Sequence, residues 1–158
     1  MQGLLDLAGQ LGDGLRSRNE TVAVSESSAG GLISAALLAQ PGASAFFLGG
    51  AVVYTRQARE ALLGISAEDM EGIRSASEPY ALLLARRLRE RFGATWGLAE
   101  TGAAGPAGNR YGDAAGHCCL ALSGPIELVR TIETGSDDRV GNMRVFASSA
   151  LMLLGESL

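Results

Sequence analysis

Residues Thr21–Leu38 read TVAVSESSAGGLISAALL, and this stretch decides the fold class. Thr21–Ser25 is a short, β-branched, apolar run of the kind that forms a buried strand. Glu26–Gly31 (ESSAGG) is a polar glycine turn. Leu32–Leu38 has the character of a helix, stopped by Pro41-Gly42. Strand, glycine turn and helix in direct succession are the opening of an α/β unit.

The flanks extend the same pattern. Upstream, Leu4, Leu5, Leu7, Leu11 and Leu15 recur at helical spacing with Asp6, Asp13, Arg16 and Arg18 outside, so an amphipathic helix precedes the strand and ends at Asn19-Glu20. Downstream, Phe46–Thr55 (FFLGGAVVYT) is expected as a long strand, with Gly49-Gly50 marking a bulge or a close backbone approach. A short helix follows over Arg56–Leu63, ending at Gly64. Ser77-Glu78-Pro79 has the form of a helix start, and that helix is expected to run to Phe92 and Gly93. Its Leu82, Leu83, Leu84 and Leu88 point inward, while Arg86, Arg87, Arg89, Glu90 and Arg91 make a solvated stripe. Thr95–Glu100 is a strand and Thr101–Gly116 a Gly/Ala-rich loop. Gly116–Leu122 and Ile126–Thr134 are strands joined by a hairpin-like turn, and Arg139–Leu154 is a terminal helix. Helices alternate with strands, and the closing hairpin makes the sheet mixed rather than purely parallel.

Composition bounds the function. The 158 residues suit one domain, residues 1–158, with an aliphatic core. A net charge of −4 argues against duplex nucleic acid as a partner. All 13 basic residues are arginine, so no side-chain amine is available as a base, a Schiff-base former or a phosphate clamp. The N-terminus lacks the features of a signal peptide, and no apolar run reaches the roughly 18 residues of a membrane span. The adjacent Cys118 and Cys119 point to opposite faces of a strand, excluding a disulfide framework, and are expected reduced and buried. A cytoplasmic location is therefore expected.

Two glycine-rich turns follow strands, ESSAGG at 26–31 and TGAAGP at 101–106. Ligands of α/β domains bind outside the carboxyl ends of the strands. Ser27 and Thr101, the hydroxyl residues opening these turns, are the candidates for nucleophile and proton relay. Alternatively, Ser27 and Ser28 simply cap the following helix. Neither turn is a dinucleotide or Walker signature. The only histidine, His117, sits in an apolar strand and reads as a core residue whose polar atoms are satisfied. With one His and two Cys, no metal constellation is expected. Glu26 and Glu100 each end a strand beside a glycine turn, so the two carboxylates can meet.

Three blocks, TVAVSESSAGGLISAAL, GASAFFLGGAVVYTRQAREALLGI with SASEP, and GLAETGAAGPAG, occur in this order. Together they resemble the CinA C-terminal domain family, which includes stand-alone nicotinamide mononucleotide (NMN) deamidases. The resemblance covers about residues 5–155. It implies a three-layer α/β/α domain with a mixed, mostly parallel sheet. It implies hydrolysis of the NMN carboxamide to nicotinate mononucleotide and ammonia, without metal or organic cofactor, and hence a small NMN-like nucleotide as partner; a homodimer is left open. By position, the resemblance makes Ser27, Arg59 and Thr101 catalytic, with Tyr54 against the ring or ribose. Backbone N–H groups near Gly30, Gly31 or Gly102 are expected to hold the oxyanion. Arg144, or Arg139, is expected to clamp the phosphate. The substrate-binding set is thus Glu26, Ser28, Gly30, Gly31, Tyr54, Gly102, Gly105 and Arg144.

The chain departs from the family in three places. The family's ESCTGG is ESSAGG here. The loop after Pro106 reads AGNRYGDAAG, where many relatives carry a longer glycine-rich stretch. The family's catalytic Lys is Arg59. A lysine amine can be brought toward neutral pKa by burial and then accept a proton. An arginine guanidinium stays charged, and stripping it at pH 7 would cost roughly 8 kcal/mol or more. The sequence therefore supports two readings: a working amidohydrolase with altered base chemistry, and an impaired paralogue that binds a pyridine nucleotide without hydrolysing it.

Overall fold

The computed structural model describes residues 1–158, and the alternation read from the sequence closes into three layers. Five helices and five strands follow in the order α1 (Gln2–Ser17), β1 (Val22–Glu26), α2 (Leu32–Leu38), β2 (Phe47–Val52), α3 (Arg56–Leu63), α4 (Glu78–Phe92), β3 (Trp96–Ala103), β4 (His117–Ser123), β5 (Glu127–Glu133) and α5 (Arg139–Gly155). The sheet order is β2-β1-β3-β4-β5. β1 pairs in parallel with both β2 and β3, whereas β4 runs antiparallel to its neighbours β3 and β5. Four strands thus share one direction and β4 alone opposes them.

Strand periodicity sorts the core into two faces. Val22, Val24, Trp96, Leu98, Cys118, Leu120 and Leu122 pack under α1, α2 and α5. The intervening Ala23, Ala99, Cys119 and Ala121 pack under α4. All five residues of β1 are buried, as expected for a strand covered on both sides. The small residues on the second face let α4 come close. A Cβ on Gly97 would lie 2.1 Å from the Ala85 carbonyl oxygen. The cysteines do point to opposite faces, and both are free and buried.

Helix ends follow the local signals. Ser77 Oγ accepts the Tyr80 amide, and Gly93 takes the left-handed conformation at φ +61°. Gly49-Gly50 carries both features expected of it. The β1–β2 register shifts beside Leu48, and a Cβ on Gly50 would sit 2.2 Å from Ser34 Oγ. Two boundaries differ from expectation. β2 stops at Val52, because the chain turns outward toward the Thr55 cap of α3. β3 continues through Thr101–Ala103, because β4 offers these residues a ladder that a single-strand reading does not contain. The arginines on α4 are also more engaged than a solvated stripe implies. Arg86 pairs with Glu127, Arg87 with Asp69, and Arg89 donates to the Thr95 carbonyl. No helix is long and apolar enough to cross a membrane.

Candidate functional site

From β1 the chain moves outward to β2, while β3 pairs on the other side of β1. The carboxyl ends of β1 and β3 therefore lie side by side where the strand order reverses, the usual place for a ligand in an open α/β sheet. A cavity of about 470 Å³ opens there, within the about 300–1,000 Å³ range of small-molecule sites. Ser27, from the turn after β1, and Thr101 and Gly102, from the end of β3, form one wall. Tyr54, Thr55, Arg56 and Arg59 come from the start of α3. Met70, Ile73, Ser75 and Ala76 come from the approach to α4, Tyr80 from its first turn, and Asn109, Arg110 and Tyr111 from the loop after β3. All three tyrosines of the chain line this cavity, as do three arginines, and no carboxylate does.

The two strand-end glutamates build the turn rather than the cavity. Glu100 is fully buried and accepts the Ser27 amide at 3.0 Å and the Ala29 amide at 2.8 Å; the Ser28 hydroxyl donates to it as well. Burial pushes its carboxyl above the usual range, with the three donors pulling the other way. Glu26 accepts the Gly31, Ile33 and Ser34 amides and the Ser34 hydroxyl, so it caps the first turn of α2. This arrangement departs from the reading in which Ser27 and Ser28 cap the helix. The residue at the cap position is Gly31, and its side-chain role is taken by Glu26. Glu100 holds Ser27 by its amide, not by its hydroxyl.

Several expected substrate contacts lie elsewhere. Glu26 and Ser28 sit beneath the turn, engaged as described. The Gly31 N–H donates to Glu26 and the Gly30 N–H to the Ser27 carbonyl, so neither is available to an oxyanion. Gly102 does line the cavity. Gly105 does not line it, and its carbonyl accepts from Arg139. Arg144 is exposed on the α1, α2 and α5 side, beside Met1, Leu4 and Leu32. Five residues after the start of α5, it points away from the strand ends. Arg139, the alternative, reaches the rim, where it donates to the Tyr54 hydroxyl at 3.3 Å.

Arg59 has an unusual setting. Its Nη1 donates to Ser75 Oγ at 3.1 Å, its guanidinium lies over the Tyr80 ring, and it forms no salt bridge. Its Nε is buried without a hydrogen-bond partner. A buried N–H without an acceptor costs about 1–3 kcal/mol. His117 is the satisfied core residue expected. Its Nε2 faces the Ala76 carbonyl at 2.9 Å and its Nδ1 faces Glu133. No group of three or more His, Cys, Asp or Glu side chains is placed to hold a metal ion.

The sequence reading missed Arg56, Ser75, Tyr80, Asn109, Arg110 and Tyr111. Asn109–Tyr111 had one available signal, since they follow the second glycine turn and so belong to the same sheet end. Ser75 opens the SASEP block of the family resemblance, whereas Tyr80 had no signal, because only packing of α4 across β1 and β3 brings it there.

The comparisons with known proteins agree with this architecture. The CinA C-terminal domain profile matches residues 4–158. A CinA-like protein of Synechocystis is 41% identical over 148 residues, which cover 94% of this chain and 36% of the relative. A CinA-like protein of Desulfosudis oleivorans is 38% identical over 98% of this chain and 38% of its own length. The chain thus spans about a third of the length of the curated relatives it matches. Among solved structures, a CinA superfamily protein from Escherichia coli superimposes with a TM-score of 0.91 at 26% identity, covering 98% of this chain and 90% of that one. The competence/damage inducible protein CihA from Agrobacterium tumefaciens gives 0.89 at 28%, covering 97% and 94%.

Proposed function

The chain belongs to the CinA C-terminal domain family, and from that premise we propose that its cavity binds a pyridine mononucleotide and hydrolyses the carboxamide of NMN. One observation carries the reading: the Ser27 and Thr101 side chains share a cavity with three arginines and no carboxylate. NMN joins a cationic pyridinium ring to an anionic phosphate. Arg56, Arg59 and Arg110 suit the phosphate. The faces of Tyr80 and Tyr111 already carry guanidinium groups, whereas Tyr54 does not, so its ring suits the pyridinium. Ser27 attacks the carboxamide carbon, Thr101 relays a proton, and ammonia leaves before water releases the acid. No metal or organic cofactor enters this scheme.

A second reading, a binding protein without turnover, is favoured by Arg59. A guanidinium bonded to Ser75 and laid over Tyr80 is fitted to hold an anion, not to take a proton. Ammonia release from NMN, measured beside calorimetric binding, separates the readings. Release with binding supports the hydrolase, binding alone supports the second reading, and neither would mean that the cavity serves another ligand.

A further inference from the structure

The proposed hydrolysis needs a proton acceptor for Ser27. The chain has no lysine, its one histidine is buried between Glu133 and Ala76, and no carboxylate lines the cavity. The only side chains lining the cavity with a lone pair that titrates are the three phenols. Tyr54 accepts at the rim from Arg139 at the longer 3.3 Å with no guanidinium over its ring, and Tyr80 lies buried beneath the Arg59 guanidinium. Tyr111 is set differently. Its hydroxyl accepts from Arg110 Nη2 at 3.0 Å, and both Arg74 and Arg110 lie over its ring, 5.2 and 5.1 Å from the centroid.

The loop that carries Tyr111 is held in place. Asn109 Oδ1 accepts the Tyr111 amide at 3.0 Å and the Asp113 amide at 3.1 Å. Arg74 grips both carboxylate oxygens of Asp113, at 2.7 and 3.2 Å, fastening the loop to the segment before α4. Asp113, two residues beyond Tyr111, has its charge engaged by Arg74 and faces His117. Ser75, which accepts from Arg59, lines the same cavity as Tyr111. The phenol therefore has Arg110 as its donor, with the Arg74 and Arg110 cations over its ring.

We infer that Tyr111 is the general base of this cavity, taking over the proton-accepting role that Arg59 cannot fill. This rests on the hydrolase reading. The surroundings agree, since the Arg110 hydrogen bond holds the Tyr111 phenol below the usual tyrosine range, against partial burial that pushes it up. As the Ser27 Oγ–C bond forms, the Ser27 proton passes by way of the Thr101 hydroxyl to Tyr111 Oη, all three residues lining the one cavity. When the C–N bond breaks, Tyr111 returns that proton to the departing nitrogen, which leaves as ammonia. Water then gives a proton to Tyr111 and attacks the ester. The Ser27 Oγ–C bond breaks, Ser27 recovers the proton from Tyr111, and nicotinate mononucleotide is released.

Reaction of Ser27 with a fluorophosphonate probe tests this without depending on the natural substrate. The Oγ–P bond forms, P–F breaks, and the proton goes to the same base. Labelling of the wild type should rise with pH to a plateau as the phenol ionises. Tyr111→Phe, which keeps the ring, should slow it about 100- to 10,000-fold. Arg110→Gln should move the rising limb to higher pH, a change that a purely structural role for Tyr111 would not produce. An ultraviolet titration of the three phenols should lose its first-ionising member in Tyr111→Phe. Equal labelling of wild type and Tyr111→Phe, an unmoved limb in Arg110→Gln, or no labelling of wild-type Ser27 would each overturn the inference. If labelling depends on Tyr111 while NMN is neither bound nor hydrolysed, the base assignment stands and the NMN reading fails.

Discussion

Glu100 holds Ser27 by its backbone amide: Oε2 lies 3.0 Å from the Ser27 nitrogen, across 73 residues of sequence. The same oxygen accepts the Ala29 amide, and Oε1 receives the Ser28 hydroxyl. The turn that presents Ser27 is thus fastened to the adjacent strand at three points within the core. Glu100→Ala leaves these buried donors without an acceptor, at about 1–3 kcal/mol each. We expect at least about 3 kcal/mol of destabilisation in urea unfolding, together with slower fluorophosphonate labelling of Ser27. Unchanged labelling in a folded Glu100→Ala protein would show that the turn keeps its shape without the carboxylate.

Arg59→Lys replaces a fixed cation by an amine that can lose its proton in a partly buried site. It should raise NMN deamidation, and it should restore turnover to Tyr111→Phe, because the cavity regains a base. Assays of ammonia release on the single and double variants check both points. A robust wild-type rate abolished by Arg59→Lys would assign Arg59 a different working role, such as holding the phosphate.

The wall of the cavity contains a left-handed alanine, Ala76 at φ +53°, whose carbonyl faces His117 Nε2. That conformation costs an ordinary residue roughly 1–2 kcal/mol. Burial pulls His117 down, but its hydrogen bonds to Glu133 and Ala76 and the nearby Asp113 and Glu133 charges raise it above the usual histidine value. Its folded value exceeds its unfolded value, so the charged form stabilises the fold. That contribution is complete below about pH 6.5 and fades as pH rises through the folded value. The stability gap between wild type and His117→Gln, read from urea midpoints, should therefore shrink as pH rises from 6 toward 9. A constant gap would show that the imidazolium charge contributes nothing.

Gly97 tests the packing of α4 against the sheet. A methyl group there meets the Ala85 carbonyl at 2.1 Å and the Arg89 Cβ at 2.8 Å. The first is helix backbone and cannot swing aside. Gly97→Ala should cost about 3 kcal/mol, at the upper end of overpacking, seen as a lower unfolding midpoint. Because α4 also carries Tyr80, NMN affinity should fall with it.

The sequence by itself determined the element order and most helix boundaries. Ser77, Gly93 and Gly64 are local signals that act through backbone hydrogen bonds only a few residues away. It also determined the family, and it singled out Ser27, Tyr54, Arg59 and Thr101, which the fold gathers around one cavity. What the neighbours of those residues do was decided only by tertiary structure. Glu26 and Glu100 look like free carboxylates at strand ends, yet strand alternation turns both inward beneath α2, where amide donors claim them. Arg144 and Arg139 lie on the same helix, and only the orientation of α5 puts Arg139 at the rim and Arg144 on the far side. Tyr111 stands in a loop where the sequence departs from the family's pattern. Its setting among Arg74, Arg110 and Ser75 depends on a contact between segments more than 30 residues apart, the Arg74–Asp113 ion pair, 39 residues across. Local propensity governs neighbours along the chain, whereas a side chain's chemical environment is set by residues that only folding brings within hydrogen-bonding distance.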